Sequence, residues 1–189
     1  MKQLRQSILI CSVLVSSWLG MQAIHEFGHV LAAWLTGGTV ARVVLHPLTI
    51  SRTDLLTNPD PLVVVWAGPI LGSLLPLTLW GIAAWLRLPG AFVLRFFAGF
   101  CLVANGAYIA GGSVGHIGDC GPMLRHGSPL WSLWLFGAVT VPTGIGLWHG
   151  QGSHFGLGKA ARPINSAVAY ASLVICGVLI GFGFWIGGD

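Results

Sequence analysis

The chain has 189 residues, 54% of them hydrophobic and 7% charged, with a mean hydropathy of +0.81. A water-soluble domain carries about 25% charged residues, so a soluble globular exterior is excluded and an integral membrane protein is expected. The net charge of +4 reflects scarce acids (five Asp and Glu against nine Lys and Arg), and no basic run or nucleic-acid motif accompanies it, so nucleic acid is not an expected partner.

Lys2 and Arg5 precede an apolar run, as in a secretory signal peptide. Residues 19–23 lack a small-x-small cleavage pattern because Met21 occupies the upstream position, and the apolar run continues to Leu35. Residues 7–35 are therefore read as an uncleaved first membrane helix. At 1.5 Å per residue it is about 40 Å long, against a hydrocarbon layer of about 30 Å. Gly37 and Gly38 end it. In residues 39–54 apolar positions alternate loosely with polar ones, and Pro47 marks a turn or edge; a short hairpin and an irregular loop fit this pattern equally. After a turn at 58–61, a second helix is predicted at 62–86, with Gly68, Pro69 and Gly72 allowing close approach and a kink. A third is predicted at 91–110, then a glycine-rich polar loop at 111–128, a fourth helix at 129–148, a polar loop at 149–163 and a fifth helix at 164–186. The expected architecture is an all-α bundle of about five transmembrane helices with a hairpin-like or interfacial segment after the first. It forms one membrane domain over 1–189, with a three-helix core at 7–128 and two additional helices at 129–189.

Within the first helix, His25-Glu26-Phe27-Gly28-His29 spells H-E-x-x-H, and Glu26 is the only glutamate in the chain. Positions i and i+4 share a helix face, so both imidazoles can reach one metal ion with the glutamate beside them as a general base. Two imidazoles and a carboxylate are costly in lipid, which makes the cluster a functional site rather than a chance pair of helix-capping histidines. A catalytic zinc takes three protein ligands and keeps one position for water. The candidates for the third are His46, Asp54, Asp60, His116, Asp119 and His126. Asp119 is preferred, because Gly118 and Gly121 permit tight turns beside a metal; a helix N-cap is its bland alternative, and His116 is the main competitor. Cys11, Cys101 and Cys176 lie in apolar runs and no C-x-x-C pair occurs. Cys120 follows Asp119 and is read as a bystander in preference to a soft ligand. His149 and His154 are read as loop residues.

The chain resembles the site-2 protease family of intramembrane zinc metalloproteases over residues 15–125. The likeness rests on His25-Glu26-Phe27-Gly28-His29, on Trp66-Ala67-Gly68-Pro69, and on Asn105 followed by Gly118-Asp119-Cys120-Gly121. The family's Leu-Asp-Gly is Gly118-Asp119-Cys120 here, and the proline-rich spacing before the aspartate is replaced by a glycine-rich one. The resemblance implies a Zn²⁺ cofactor held by His25, His29 and Asp119, with Glu26 as catalytic base and Asn105 binding substrate. It also implies hydrolysis of membrane-embedded or membrane-proximal proteins by metal-activated water, in a multi-pass protein of the cell membrane. A separate regulatory protein could present substrates. Two other readings stay open: an inactive membrane protein that retains a metal site, and a transporter of metal or small solutes. Positive-inside counting sets Lys2, Arg5, Arg87, Lys159 and Arg162 against Arg42, Arg52 and Arg125 and favours a cytoplasmic N-terminus. The resemblance implies the opposite orientation.

Overall fold

A computed structural model describes residues 2–187. In chain order it contains α1 (Lys2–Leu35), β1 (Thr39–Val44), β2 (Arg52–Thr57), α2 (Pro61–Trp85), α3 (Ala91–Gly115), α4 (Cys120–Arg125), α5 (Leu130–Trp148), a 3₁₀ turn at Gln151–Phe155, and α6 (Ser166–Gly187). Five helices among the described residues (α1, α2, α3, α5 and α6) are long and apolar enough to cross a membrane. The protein is an all-α, multi-pass membrane protein with one small two-stranded sheet.

The helices persist where soluble helices would break. Pro69 and Pro76 lie inside α2, and α3 runs on through Gly111 and Gly112 to Gly115, five residues beyond its expected end. Backbone groups in hydrocarbon find no water, so each amide saved by continuing the helix outweighs a weak glycine propensity. His116 ends α3 in the left-handed region at φ 54°, its N–H donating to the Gly112 carbonyl. The segment expected as a loop at 111–128 thus holds the last turn of α3 and all of the short helix α4.

Residues 39–57 form an antiparallel hairpin, with Arg42 opposite Asp54 and Val43 opposite Thr53. Its second strand reaches Thr57, beyond the expected limit at 54. The turn between the strands leans on α6: a Cβ at Gly183 would lie 2.9 Å from both the Leu45 carbonyl and the Pro47 ring, and His46 stacks edge-on with Phe184 at 4.9 Å. In the bundle α1 packs against α2, α3 and α6, and α3 packs against α2 and α5. Leu9 and Val13 of α1 bury with Phe155 and Ala169 at one end of the bundle. At the other, Val65, Ile109, Cys120, Met123 and Leu133 join α2 to α5 around α4.

Candidate metal centre

His25 and His29 sit one turn apart on α1 with ring centres 4.8 Å apart. Both are 7% exposed, and Glu26 is 4% exposed. Such burial requires that α2 come close, and two glycines make this possible. A Cβ at Gly28 would collide with the Ala67 carbonyl and stand 2.8 Å from Gly68 Cα. A Cβ at Gly68 would strike the His29 ring and lie 3.0 Å from His25 Nε2. The Trp66-Ala67-Gly68-Pro69 segment therefore lays bare backbone against the two imidazoles.

Each imidazole is oriented from behind. His29 Nδ1–H donates to the Val64 carbonyl at 2.8 Å. His25 Nδ1–H donates to Asn105 Oδ1 at 2.7 Å, and the Asn105 amide N–H donates to the Cys101 carbonyl at 2.9 Å, which fixes the direction of the first bond. Both rings thus commit Nδ1 to the protein and present Nε2 forward, as ligating histidines do. Asn105, expected to bind substrate, is 1% exposed and has both ends of its amide engaged inside the protein.

Asp119 occupies the N-cap position of α4, yet its carboxylate makes no capping bond. Oδ2 instead lies 2.9 Å from His25 Nε2 and 3.5 Å from His29 Nε2. The turn that aims it depends on Tyr108, whose hydroxyl accepts the Asp119 N–H at 2.9 Å. Gly118, at φ +54°, leaves the space that the tyrosine hydroxyl fills. Trp66 Nε1–H donates to Ser128 Oγ at 2.7 Å and ties the far end of α4 back to α2. Burial raises the proton affinity of Asp119, but the hydrogen bonds and charges of His25 and His29 outweigh it and hold the carboxyl well below its usual range.

Other expected candidates stand apart. His46 is stacked on α6, Asp54 accepts from Arg52 Nε at 3.2 Å, Asp60 precedes α2, and His116 is an exposed cap of α3. His126 reaches the rim of the cavity without joining the cluster. The Cys120 thiol is pushed up to about 11 by burial and then by the Asp119 charge, and it donates to the Ile109 carbonyl at 3.4 Å, consistent with a packing role. Two contributors carry no signal in the sequence pattern: Tyr108, and Thr53 on β2, whose hydroxyl donates to Glu26 Oε2 at 2.7 Å.

The donor set fits zinc. Two imidazole nitrogens and a carboxylate oxygen within 4.8 Å of one another are ligands that zinc accepts. Bonds of about 2.0–2.1 Å to a four-coordinate ion set ligand atoms about 3.3 Å apart; the two spacings to Asp119, 2.9 and 3.5 Å, lie on either side of that value, and the set as a whole spans no more than 4.8 Å. The glycine cradle at Gly68 leaves room at the Nε2 atoms that any side chain would fill. The site opens into a cavity of about 820 Å³ lined by Glu26, Thr53, Val64, Asn105, Tyr108 and Asp119 among others.

No curated protein and no solved structure matches the chain. A family model described as Peptidase M50B-like matches residues 7–109, more than half of the chain, taking in the H-E-x-x-H helix and Asn105 and ending before Asp119. Members of that family are zinc metalloproteases. The chain belongs to the site-2 protease (M50) family.

Proposed function

We propose that this protein is an intramembrane zinc endopeptidase that hydrolyses peptide bonds in membrane-embedded or membrane-proximal protein substrates. The observation that carries the reading is the meeting of His25 Nε2, His29 Nε2 and Asp119 Oδ2 beside the sole glutamate. His25, His29 and Asp119 hold the metal. Zinc bound there supplies Lewis-acid polarisation of a peptide carbonyl and acidifies a water molecule. Glu26 takes the proton of the attacking water and returns it to the departing amine. Asn105 and the Val64 carbonyl keep the imidazoles in register, which gives Asn105 a positioning role beside the substrate contact that the resemblance implies for it.

A transmembrane substrate presents its carbonyls inside a hydrogen-bonded helix, so it must unwind locally before it reaches Glu26. The cavity into which such a segment would enter is flanked by β2 and by helices α1 to α4. The cell membrane is the proposed location, and a separate protein could deliver substrates.

Purified protein in detergent, loaded with zinc and given dye-labelled casein as an unfolded probe, tests the reading. Wild type is expected to release peptides, and Glu26→Gln to lose about 10²–10⁴-fold in rate while keeping its zinc. Equal release by the two proteins would overturn Glu26 as the base, and no release by either would favour an inert metal-site protein.

A further inference from the structure

Beyond the three ligands and the base, the hairpin is fastened to the same face of α1. Two hydrogen bonds hold it: the Ser51 N–H donates to Gln22 Oε1 at 3.0 Å, and the Thr53 hydroxyl donates to Glu26 Oε2 at 2.7 Å. Gln22 and Glu26 are one helical turn apart, and Ser51 and Thr53 are two residues apart in extended chain. Four residues of helix advance about 6 Å and two residues of strand about 6.6 Å, so the start of β2 and this stretch of α1 match in pitch. Gln22 is 7% exposed and Glu26 is 4% exposed, which leaves both side chains dependent on protein partners.

We infer that Thr53 is a positioning residue for Glu26. Its hydroxyl holds Oε2 and leaves Oε1 as the oxygen that exchanges a proton with the attacking water. A carboxylate free to rotate about its last torsion would present either oxygen in a range of directions, whereas one anchored through a charge-assisted bond presents a single one. Gln22 supports the same arrangement by fixing the strand on which Thr53 sits. This role rests on the protease reading for its catalytic consequence, but the contact itself is testable without turnover.

The sole glutamate makes a site-specific probe possible. Protein made by cell-free synthesis with carboxyl-¹³C glutamate carries one labelled side chain, and Glu26→Gln identifies its infrared band by removing it. Thr53→Val is expected to shift the carboxylate stretch of Glu26, and Thr53→Ser to restore it. On casein, Thr53→Val is expected to lower kcat about tenfold with little change in KM, and Thr53→Ser to stay within about twofold of wild type. An unshifted band in Thr53→Val overturns the inference, as does an unchanged kcat or a zinc content that falls along with activity. If wild type leaves casein intact, the protease reading fails, and the infrared band alone decides whether Thr53 holds Glu26.

Discussion

The polar side chains around His25, Glu26 and His29 bond from one element to another, whereas the hydroxyls of α5, like those of Ser12 in α1 and Ser113 in α3, bond back along their own helix. In that cluster His25 reaches Asn105 and Asp119, His29 reaches Val64 and Glu26 reaches Thr53, and nearby Trp66 reaches Ser128. In α5, Thr140 donates to the Phe136 carbonyl and Thr143 to the Val139 carbonyl; its bonds to α3 come from the indoles of Trp134 and Trp148. A polar group that satisfies itself locally tolerates a membrane but specifies nothing about its neighbours. One that is satisfied only across an interface fixes the relative placement of two helices. The difference separates a site from a scaffold that supports it.

The comparison can be broken first at Gly68. Gly68→Val puts side-chain atoms where the two Nε2 atoms face Asp119 and is expected to abolish zinc binding, read as metal content per chain. Retention of zinc would show that α2 does not floor the site. Asn105→Leu comes next: losing the partner of His25 Nδ1 is expected to weaken zinc affinity about 10–100-fold, measured by chelator competition. An unchanged affinity would leave Asn105 with the substrate contact alone. Trp66→Phe removes the tie to Ser128 at about 1 kcal/mol and is expected to lower the thermal midpoint by a few degrees with zinc retained. The smallest effect belongs to the scaffold. Thr143→Val is expected to change stability by less than about 0.5 kcal/mol and to leave zinc content and cleavage as they are. A large loss there would mean that the contrast between the two regions is wrong.

Much of the fold was legible because hydrocarbon imposes a coarse rule: an apolar run of sufficient length becomes a helix. The first membrane helix, the span beginning near Pro61 and the last span were found within a few residues, apart from the extra N-terminal turns of α1, where Lys2 and Arg5 made residues 2–6 look like a flank. The rule failed in the glycine-rich stretch after Ala110. Glycine there reads as a breaker by propensity, yet the backbone still had to satisfy its own amides, and α3 continued. The hairpin could not be separated from an irregular loop because bulges near Thr39 and Val40 disturb its alternation.

At the candidate site, the approach of His25 to His29 was legible because the i, i+4 spacing carries geometry in itself. Asp119 was only partly so. An aspartate ahead of Cys120-Gly121-Pro122 suits a helix N-cap as well as a ligand, and the choice depends on where the carboxylate turns, which Tyr108 and Gly118 control from elsewhere in the chain. The bond from His25 to Asn105 was not legible, because it depends on how α1 and α3 pack and not on either segment alone. Thr53 was missed because the pattern of a strand tells which face it turns to a neighbour, not which side chain of that neighbour it meets.

Zinc content of detergent-purified protein by mass spectrometry, with wild type beside Asp119→Ala and His116→Ala, tests the central claim most directly. The geometry predicts about one zinc per chain in wild type and in His116→Ala, and almost none in Asp119→Ala. Zinc retained in Asp119→Ala and lost in His116→Ala would contradict it.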